Sequence, residues 1–291
     1  MRHDELLTSL KNPKVKYAAS LRERRERDAQ GVTLLEGYRE LFRADAIGLK
    51  FHEVFYCPEL FLGENEDALL DSLAAHGATL YRCTEDILRK LAYRDRPEGL
   101  IAVIEVKRKT LADIPKVKDG LYLVAETIEK PGNLGSMLRS ADAVGATAMI
   151  VCNKQTDFYN PNVIRASTGA IFSVPLAEAT SEECLAWLRS FGIRTLAATP
   201  HTKQNFTDAD MAHGVAIVVG AEQFGLTPYW MDSADQKVVI PMLGLMDSLN
   251  VATAATILLY EAARQRGWKS SAAADYGLDQ FAGGENSLGH N

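Results

Sequence analysis

The stretch EKPGNLGSMLRSADAVGA, residues 129–146, decides how the second half of the chain is read. It follows a short apolar run at 121–125 and opens on a Pro-Gly-Asn turn, with glycines at 132 and 135. Strand, glycine turn and helix in that order build many phosphate and nucleotide sites, because N–H groups at a helix start point outward and glycine admits a close neighbour. The reading is a helix over 133–144 begun by Asn133, whose amide suits the free N–H groups of a first turn. Arg139 lies six residues further, about 9 Å along the axis. Helical side chains lean toward the N-terminus, so its guanidinium is expected in the same mouth as Asn133. A surface arginine on a well-capped helix explains the same residues.

A dinucleotide fold does not fit. The glycines are spaced G-x-x-G rather than G-x-G-x-x-G, and the next strand, AMIVC, ends on Cys152 and Asn153 instead of a ribose-binding acid.

Around this stretch the chain alternates. VTLLEG, FHEVFYC, ATLYRCT and GLIAVIEV read as strands, with helices at YRELFRADAIG, ENEDALLDSLAAHG and TEDILRKLA between them. That is a small α/β layer domain over residues 1–106. Residues 107–119 are charged, aperiodic and contain Pro115, and read as a linker. A second alternation fills 120–268: the helix after Asn133, AMIVC, a helix through NVIRASTGAIF, then SVPLAEA, SEECLAWLRSFG, RTLAAT, GVAIVVG, VVIPM and a closing helix from about Ser248 to Arg266. Continuous apolar strands such as AIVVG predict a parallel sheet covered on both faces. Residues 269–291, rich in Gly, Ser, Ala and Asn, predict a flexible tail.

Composition narrows the class. The 291 residues are 47% hydrophobic and 24% charged, ordinary for a globular protein with sizeable cores. No apolar run approaches the roughly 18 residues of a membrane span, and residues 1–16 have no signal-peptide core. Four scattered cysteines without a C-x-x-C pair predict a reducing cytoplasm. Six histidines and four cysteines show no metal-ligand spacing, so no metal is expected. The net charge of −6 argues mildly against nucleic acid, yet residues 1–27 hold eight basic against four acidic side chains. Lys14, Lys16, Arg22, Arg24 and Arg25 are candidates to meet nucleic-acid phosphates; a solvated helix of Glu and Arg neighbours is the plain alternative.

Two further stretches exceed what a core needs. VVGAEQFGL, residues 218–226, runs a buried strand into Gly220, then Glu222 and Gly225, and ligands gather where parallel strands end. VVIPMLGLMDSLNVATAATILLYEAARQR, residues 238–266, ends a strand at Pro241, and Ser248 and Asn250 are expected to cap the helix that follows. The small residues at 252–255 predict close packing within the fold or across a dimer. Each stretch alone also reads as an ordinary turn or cap.

Their order does not. N-x-G…R, then G-x-E-x-x-G-L, then I-P-M…S-L-N-x-A-x-A resembles the three motifs of the SpoU (TrmH-type) RNA ribose 2′-O-methyltransferases of the SPOUT class, over residues 119–266. NPKVKYAASLRERRERDAQGVTLLEGYRELFRA resembles the L30e-like RNA-binding domain that many of them carry in front. PGNLGSMLRSADAVGA and RASTGAIFSVP are most similar to members that modify 23S ribosomal RNA. Glu126 stands where many relatives have aspartate.

The resemblance implies an N-terminal L30e-like α/β domain and a C-terminal SPOUT α/β domain with a trefoil knot. It implies S-adenosyl-L-methionine as methyl donor, held by Gly220, Ile240, Met242, Leu249 and Asn250 mostly through backbone groups. It implies that Asn133, Arg139, Glu222, Ser248 and Asn250 line the entry of the RNA ribose in a homodimer. The chemistry is then one in-line displacement, which needs positioning and loss of the hydroxyl proton. Guanidinium stays protonated, so Arg139 is read as an anchor for phosphate and developing oxyanion charge. A transfer RNA methyltransferase, or a non-catalytic RNA-binding protein on the same fold, is the alternative; a binding module has no need of all five polar residues.

Overall fold

The structure is a computed structural model that describes residues 5–271; residues 1–4 of the basic segment and 272–291 of the expected tail lie outside the described residues. The N-terminal half runs β1 (Glu5–Leu7), α1 (Pro13–Ser20), α2 (Arg24–Gln30), β2 (Val32–Glu36), α3 (Tyr38–Ala46), β3 (Phe51–Tyr56), α4 (Glu66–Ala75), β4 (Thr79–Cys83), α5 (Glu85–Leu91) and β5 (Leu100–Glu105). These strands form a sheet in the order β1-β4-β3-β5-β2, with β5 antiparallel to both neighbours and the other pairs parallel.

The basic segment is not one helix. Asn12 caps α1 by accepting from the Lys14 N–H, Pro13 takes the first helical position, and Leu21 is buried where the chain turns into α2. Gly31, in the left-handed region at φ 64°, stops α2. β1 has only three residues and pairs along one edge with β4, too short for an alternating pattern to show in sequence.

The C-terminal half runs β6 (Leu121–Glu126), α6 (Pro131–Ala143), β7 (Ala148–Cys152), α7 (Pro161–Ser167), α8 (Ala170–Ser173), β8 (Leu176–Ala179), α9 (Ser181–Arg189), β9 (Arg194–Ala198), β10 (Val215–Val219), α10 (Pro228–Ser233), β11 (Gln236–Val238) and α11 (Val251–Gln265). All pairs in its sheet are parallel, in the order β11-β9-β10-β6-β7-β8. Side chains of α6, α7 and α11 bury one face and those of α9 and α10 the other, which is why β10 is buried along its whole length.

Three boundaries differ from expectation. The single helix expected through 162–172 is broken by Thr168 and Gly169 at φ 49° and 90°. α6 begins at Pro131 with Lys130 in the cap position, so Asn133 sits inside the first turn and is not the cap. β11 stops at Val238, short of Pro241; Val239 adds only an isolated bridge to Asn205.

The two sheets share one continuous apolar core around β2, α6 and α7. Arg27 Nη2 meets Asp157 Oδ2 at 2.6 Å with both side chains buried, and Thr33 Oγ1 donates to the Tyr159 carbonyl at 2.8 Å. Between them, the expected linker carries a short 3-10 turn at Leu111–Asp113, closed by a reciprocal Thr110–Asp113 box.

Candidate active site

In a parallel sheet, turns leaving the carboxyl ends of adjacent strands converge on one edge. Here the turns after β9, β10 and β11, neighbours in the sheet, enclose a cavity of about 470 Å³. Its walls include Gly220, Ile240, Met242, Leu249 and Ser248. A second cavity of about 230 Å³ opens beside it, after β6, lined by Lys130 and Asn133. Ala221, Glu222, Gln223 and Val251 line both.

Gly220 is required by the turn itself. A Cβ there would stand 2.3 Å from the Gly225 carbonyl and 2.5 Å from the Leu226 nitrogen. Residues 221 and 225 exchange backbone hydrogen bonds at 3.1 and 2.9 Å, which folds the segment back over Gly220. Gly135 serves packing instead: a Cβ would lie 2.5 Å from the Ala166 Cβ and 2.7 Å from the Val163 carbonyl on α7, whereas Gly132 faces open space.

The turn after β10 is also held from below by Glu126, at the end of β6 and fully buried. Its Oε2 accepts from the Thr227 N–H at 2.8 Å, and its Oε1 accepts from Thr227 Oγ1 at 2.8 Å and Ser181 Oγ at 2.7 Å. Trp230 Nε1 donates onward to Ser181 Oγ at 2.9 Å. Satisfied networks of this kind fix backbone position in a buried site.

Three of the expected ribose-side residues meet at the shared wall. Asn250 caps α11, its Oδ1 accepting from Ala252 N at 3.0 Å and Thr253 N at 3.4 Å. Capping with the oxygen leaves the amide nitrogen free to turn outward. Nδ2 donates to Asn133 Oδ1 at 3.1 Å and to Glu222 Oε1. Glu222 Oε2 takes the Lys130 ammonium. Lys130 first, with the Asn133 amide next, holds the Glu222 carboxyl below the usual carboxylate range, so it stays ionised.

Ser248 and Arg139 stand apart from this cluster. Ser248 does not cap α11; its hydroxyl donates to Asp247 Oδ1 at 3.2 Å and lines the larger cavity. Arg139 is exposed and has no ion pair or hydrogen bond through its side chain among the described residues. Six residues turn a helix by about 240°, so Arg139 shares a face with Gly135 and Asp142 rather than with Asn133. That face lies against α7 and α8, where Asp142 takes the Ser173 hydroxyl. Within one chain, then, the guanidinium is not brought into the mouth of Asn133.

Much of the N-terminal basic charge is already engaged. Arg24 pairs with Asp28 at 3.4 Å, Arg22 lies 4.8 Å over the Tyr93 ring, and Lys14 lies 4.0 Å over the Tyr81 ring. Lys16 and Arg25 are exposed. Sequence reasoning missed the wall formed by Ala198, Thr199, Pro200 and His201 after β9, and Lys130 beside Glu222. The TPH turn carried no recognisable spacing; Lys130 adjoins the first motif and could have been found there.

Residues 120–260 match the model of the SpoU rRNA Methylase family, and residues 12–102 match that of the MRM3-like substrate binding domain. The chain is 33% identical over 260 residues to the 23S rRNA (uridine(2479)-2'-O)-methyltransferase of Streptomyces viridochromogenes, spanning 86% of this chain and 88% of that protein. A solved RNA 2'-O ribose methyltransferase is similar with TM-score 0.81 and 41% identity, over 90% of this chain and 99% of that one. The SpoU methyltransferase AviRb of Streptomyces viridochromogenes, in complex with the cofactor AdoMet, is similar with TM-score 0.80 and 32% identity, over 88% and 98% of the two chains.

Proposed function

The chain belongs to the SpoU rRNA Methylase family, and from that premise we propose that it transfers the methyl group of S-adenosyl-L-methionine to a ribose 2′-hydroxyl of 23S ribosomal RNA. One observation carries the reading: the larger cavity and the polar mouth share the wall of Ala221, Glu222 and Gln223. In-line transfer needs donor and acceptor on either side of one narrow passage.

The larger cavity fits the donor. Its volume of about 470 Å³ lies in the range of small-molecule sites, and its walls mix apolar Val219, Leu226 and Met231 with glycine-rich backbone. When bound, S-adenosylmethionine supplies an electrophilic methyl on a sulfonium. Gly220, Ile240, Met242 and Leu249 would hold it; Asn250 lines neither cavity and reaches their shared wall only through its hydrogen bond to Glu222.

On the acceptor side, Asn133 and Asn250 orient the ribose. Glu222 is the carboxylate common to both cavities and, held ionised, accepts hydrogen bonds from the hydroxyls there. Lys130 adds positive charge where the phosphodiester would pass. The Arg139 guanidinium anchors the phosphate beside the target hydroxyl.

Because Arg139 faces away from its own Asn133, the reading includes a homodimer through the C-terminal domain, in which one protomer's arginine serves the other's mouth. Leu243, Leu245 and Met246, 99%, 105% and 70% exposed beside the donor cavity, support a covering partner. The trefoil threading of this domain and a cytoplasmic location belong to the same proposal.

The test is direct. Purified protein is incubated with methyl-labelled S-adenosylmethionine and either 23S ribosomal RNA or transfer RNA, and ribose methyls are mapped. Label in 23S RNA supports the proposal. Label in transfer RNA alone overturns the substrate, and no label in any RNA overturns the activity.

A further inference from the structure

Helix α3 presents Arg39, Phe42 and Arg43 at i, i+3 and i+4, hence on one face, and all three are exposed. The acids of the same helix look elsewhere: Glu40 is buried against Arg94 at 3.1 Å, and Asp45 takes His76 and Ser72. The face is therefore positive, with an aromatic ring in its middle. Phe42 is 44% exposed, an ordered ring and not a loose one: Tyr38 stacks on it at 5.9 Å between centroids with 15° between planes. One side of the ring meets Tyr38, and close to half of the residue is open to solvent and to a flat partner.

This face continues onto the catalytic domain. Arg43 Nη1 donates to the Thr168 carbonyl, and its side chain lies 3.1 Å from where a Cβ on Gly169 would stand. Thr168, a β-branched residue at φ 49°, is held in a conformation such residues avoid, and this strained break separates α7 from α8. Arg165 is exposed one turn before the break. Arg139 lies between Gly135, packed on α7, and Asp142, bonded to Ser173 of α8, so it borders the same break. Arg39, Arg165 and Arg139 have no side-chain ion pair among the described residues.

We propose that Arg39 and Phe42 of α3, with Arg165 and Arg139 beyond the Thr168–Gly169 break, form a track for a single-stranded segment of the RNA substrate. One base stacks on Phe42, and the backbone runs past Arg165 toward Arg139. Stacking on an aromatic beside basic side chains is how single strands are held without base-specific readout. An acidic protein partner would use the charges but would not need the open ring. The track rests on the RNA-methyltransferase reading and moves the main RNA contact away from Arg22, Arg24 and Arg25, two of which are already engaged.

The full chain is tested by fluorescence anisotropy with a labelled oligouridine and with a 23S ribosomal RNA transcript, over a salt series. Phe42→Ala should weaken oligouridine binding on the order of tenfold, the loss of one stacked base. Phe42→Trp should restore it, which a purely structural role would not predict. Arg39→Glu with Arg165→Glu should lower the salt slope by roughly 0.7 per lost phosphate contact. The triple reversal of Arg22, Arg24 and Arg25 should change either readout far less. Wild-type binding by Phe42→Ala and by the double reversal, or loss confined to the triple reversal, overturns the track. Methyl transfer to saturating 23S RNA is followed separately: a wild type that binds RNA through Phe42 yet transfers no methyl sinks the activity while the track stands.

Discussion

Asn250 Nδ2 donates to Asn133 Oδ1 at 3.1 Å, joining two helix starts 117 residues apart in sequence. Asn250 does this while its own Oδ1 caps α11, so one amide both begins a helix and binds the first motif to the third. The two tasks separate by substitution. Asn250→Asp keeps an oxygen for the cap but sets a second carboxylate against Glu222 and removes the donor. It should unfold near the wild-type temperature and lose most methyl transfer. Asn250→Ala loses the cap as well, at a cost of about 1 kcal/mol, and should show a lowered Tm in addition. Calorimetry beside a methyl-transfer assay reads both, and equal Tm losses in the two variants would contradict the division.

Arg139→Ala should reduce methyl transfer by about 10²–10³-fold, the usual scale for losing a charge contact made in the transition state. S-adenosylmethionine affinity should be nearly unchanged, because no wall of the donor cavity includes Arg139. Isothermal titration and single-turnover rates check this, and near-normal turnover would remove the role.

Gly220→Ala should abolish donor binding. The added Cβ meets backbone atoms of 225 and 226 that no side-chain rotation can move aside, so the turn must open. Titration with S-adenosylmethionine measures the loss; unchanged affinity would mean the turn is free to shift.

A dimer should appear in light scattering at micromolar concentration, and Leu243→Glu with Leu245→Glu should weaken it. Full activity from a species of 31.9 kDa would overturn the shared-site arrangement.

Burial pushes the Cys57 thiol up to about 11 and Cys83 up to about 12, and raises Cys152 through its contact with Cys184 and its own burial. Raised thiol values mean the unreactive protonated form dominates below pH 10. At pH 8 none of these three, nor Cys184, which is simply buried, should react with a disulfide reagent until the protein is unfolded. Rapid modification of any one in the folded protein would show a local opening.

What was legible in sequence was what local pattern encodes. The continuous apolar runs ending at Val219 and Ala125 read as strands of a covered parallel sheet, and their glycine and polar turns marked the site's edge. Asn250 read as a cap because capping is a property of a few consecutive residues. Motif order carried the family, and with it the expectation that Asn133, Glu222 and Asn250 share a site.

Tertiary structure decided the rest. Asn133 lies within the first turn of α6, and only the packing of α11 beside that helix turned its amide toward Asn250. A periodic stretch such as NVIRASTGAIF gives no warning that a threonine will hold positive φ; Arg43, 125 residues away, grips its carbonyl. The wall at 198–201 has no motif, because it becomes part of a cavity only when β9 lies between β11 and β10. Charge behaved likewise: Arg27 belonged to a basic run in sequence, but a buried ion needs a partner, and Asp157 drew it into the junction between the sheets. Local propensity fixes elements and caps over a few residues, whereas faces, cavities and charge pairs depend on which distant segments the shared core brings together.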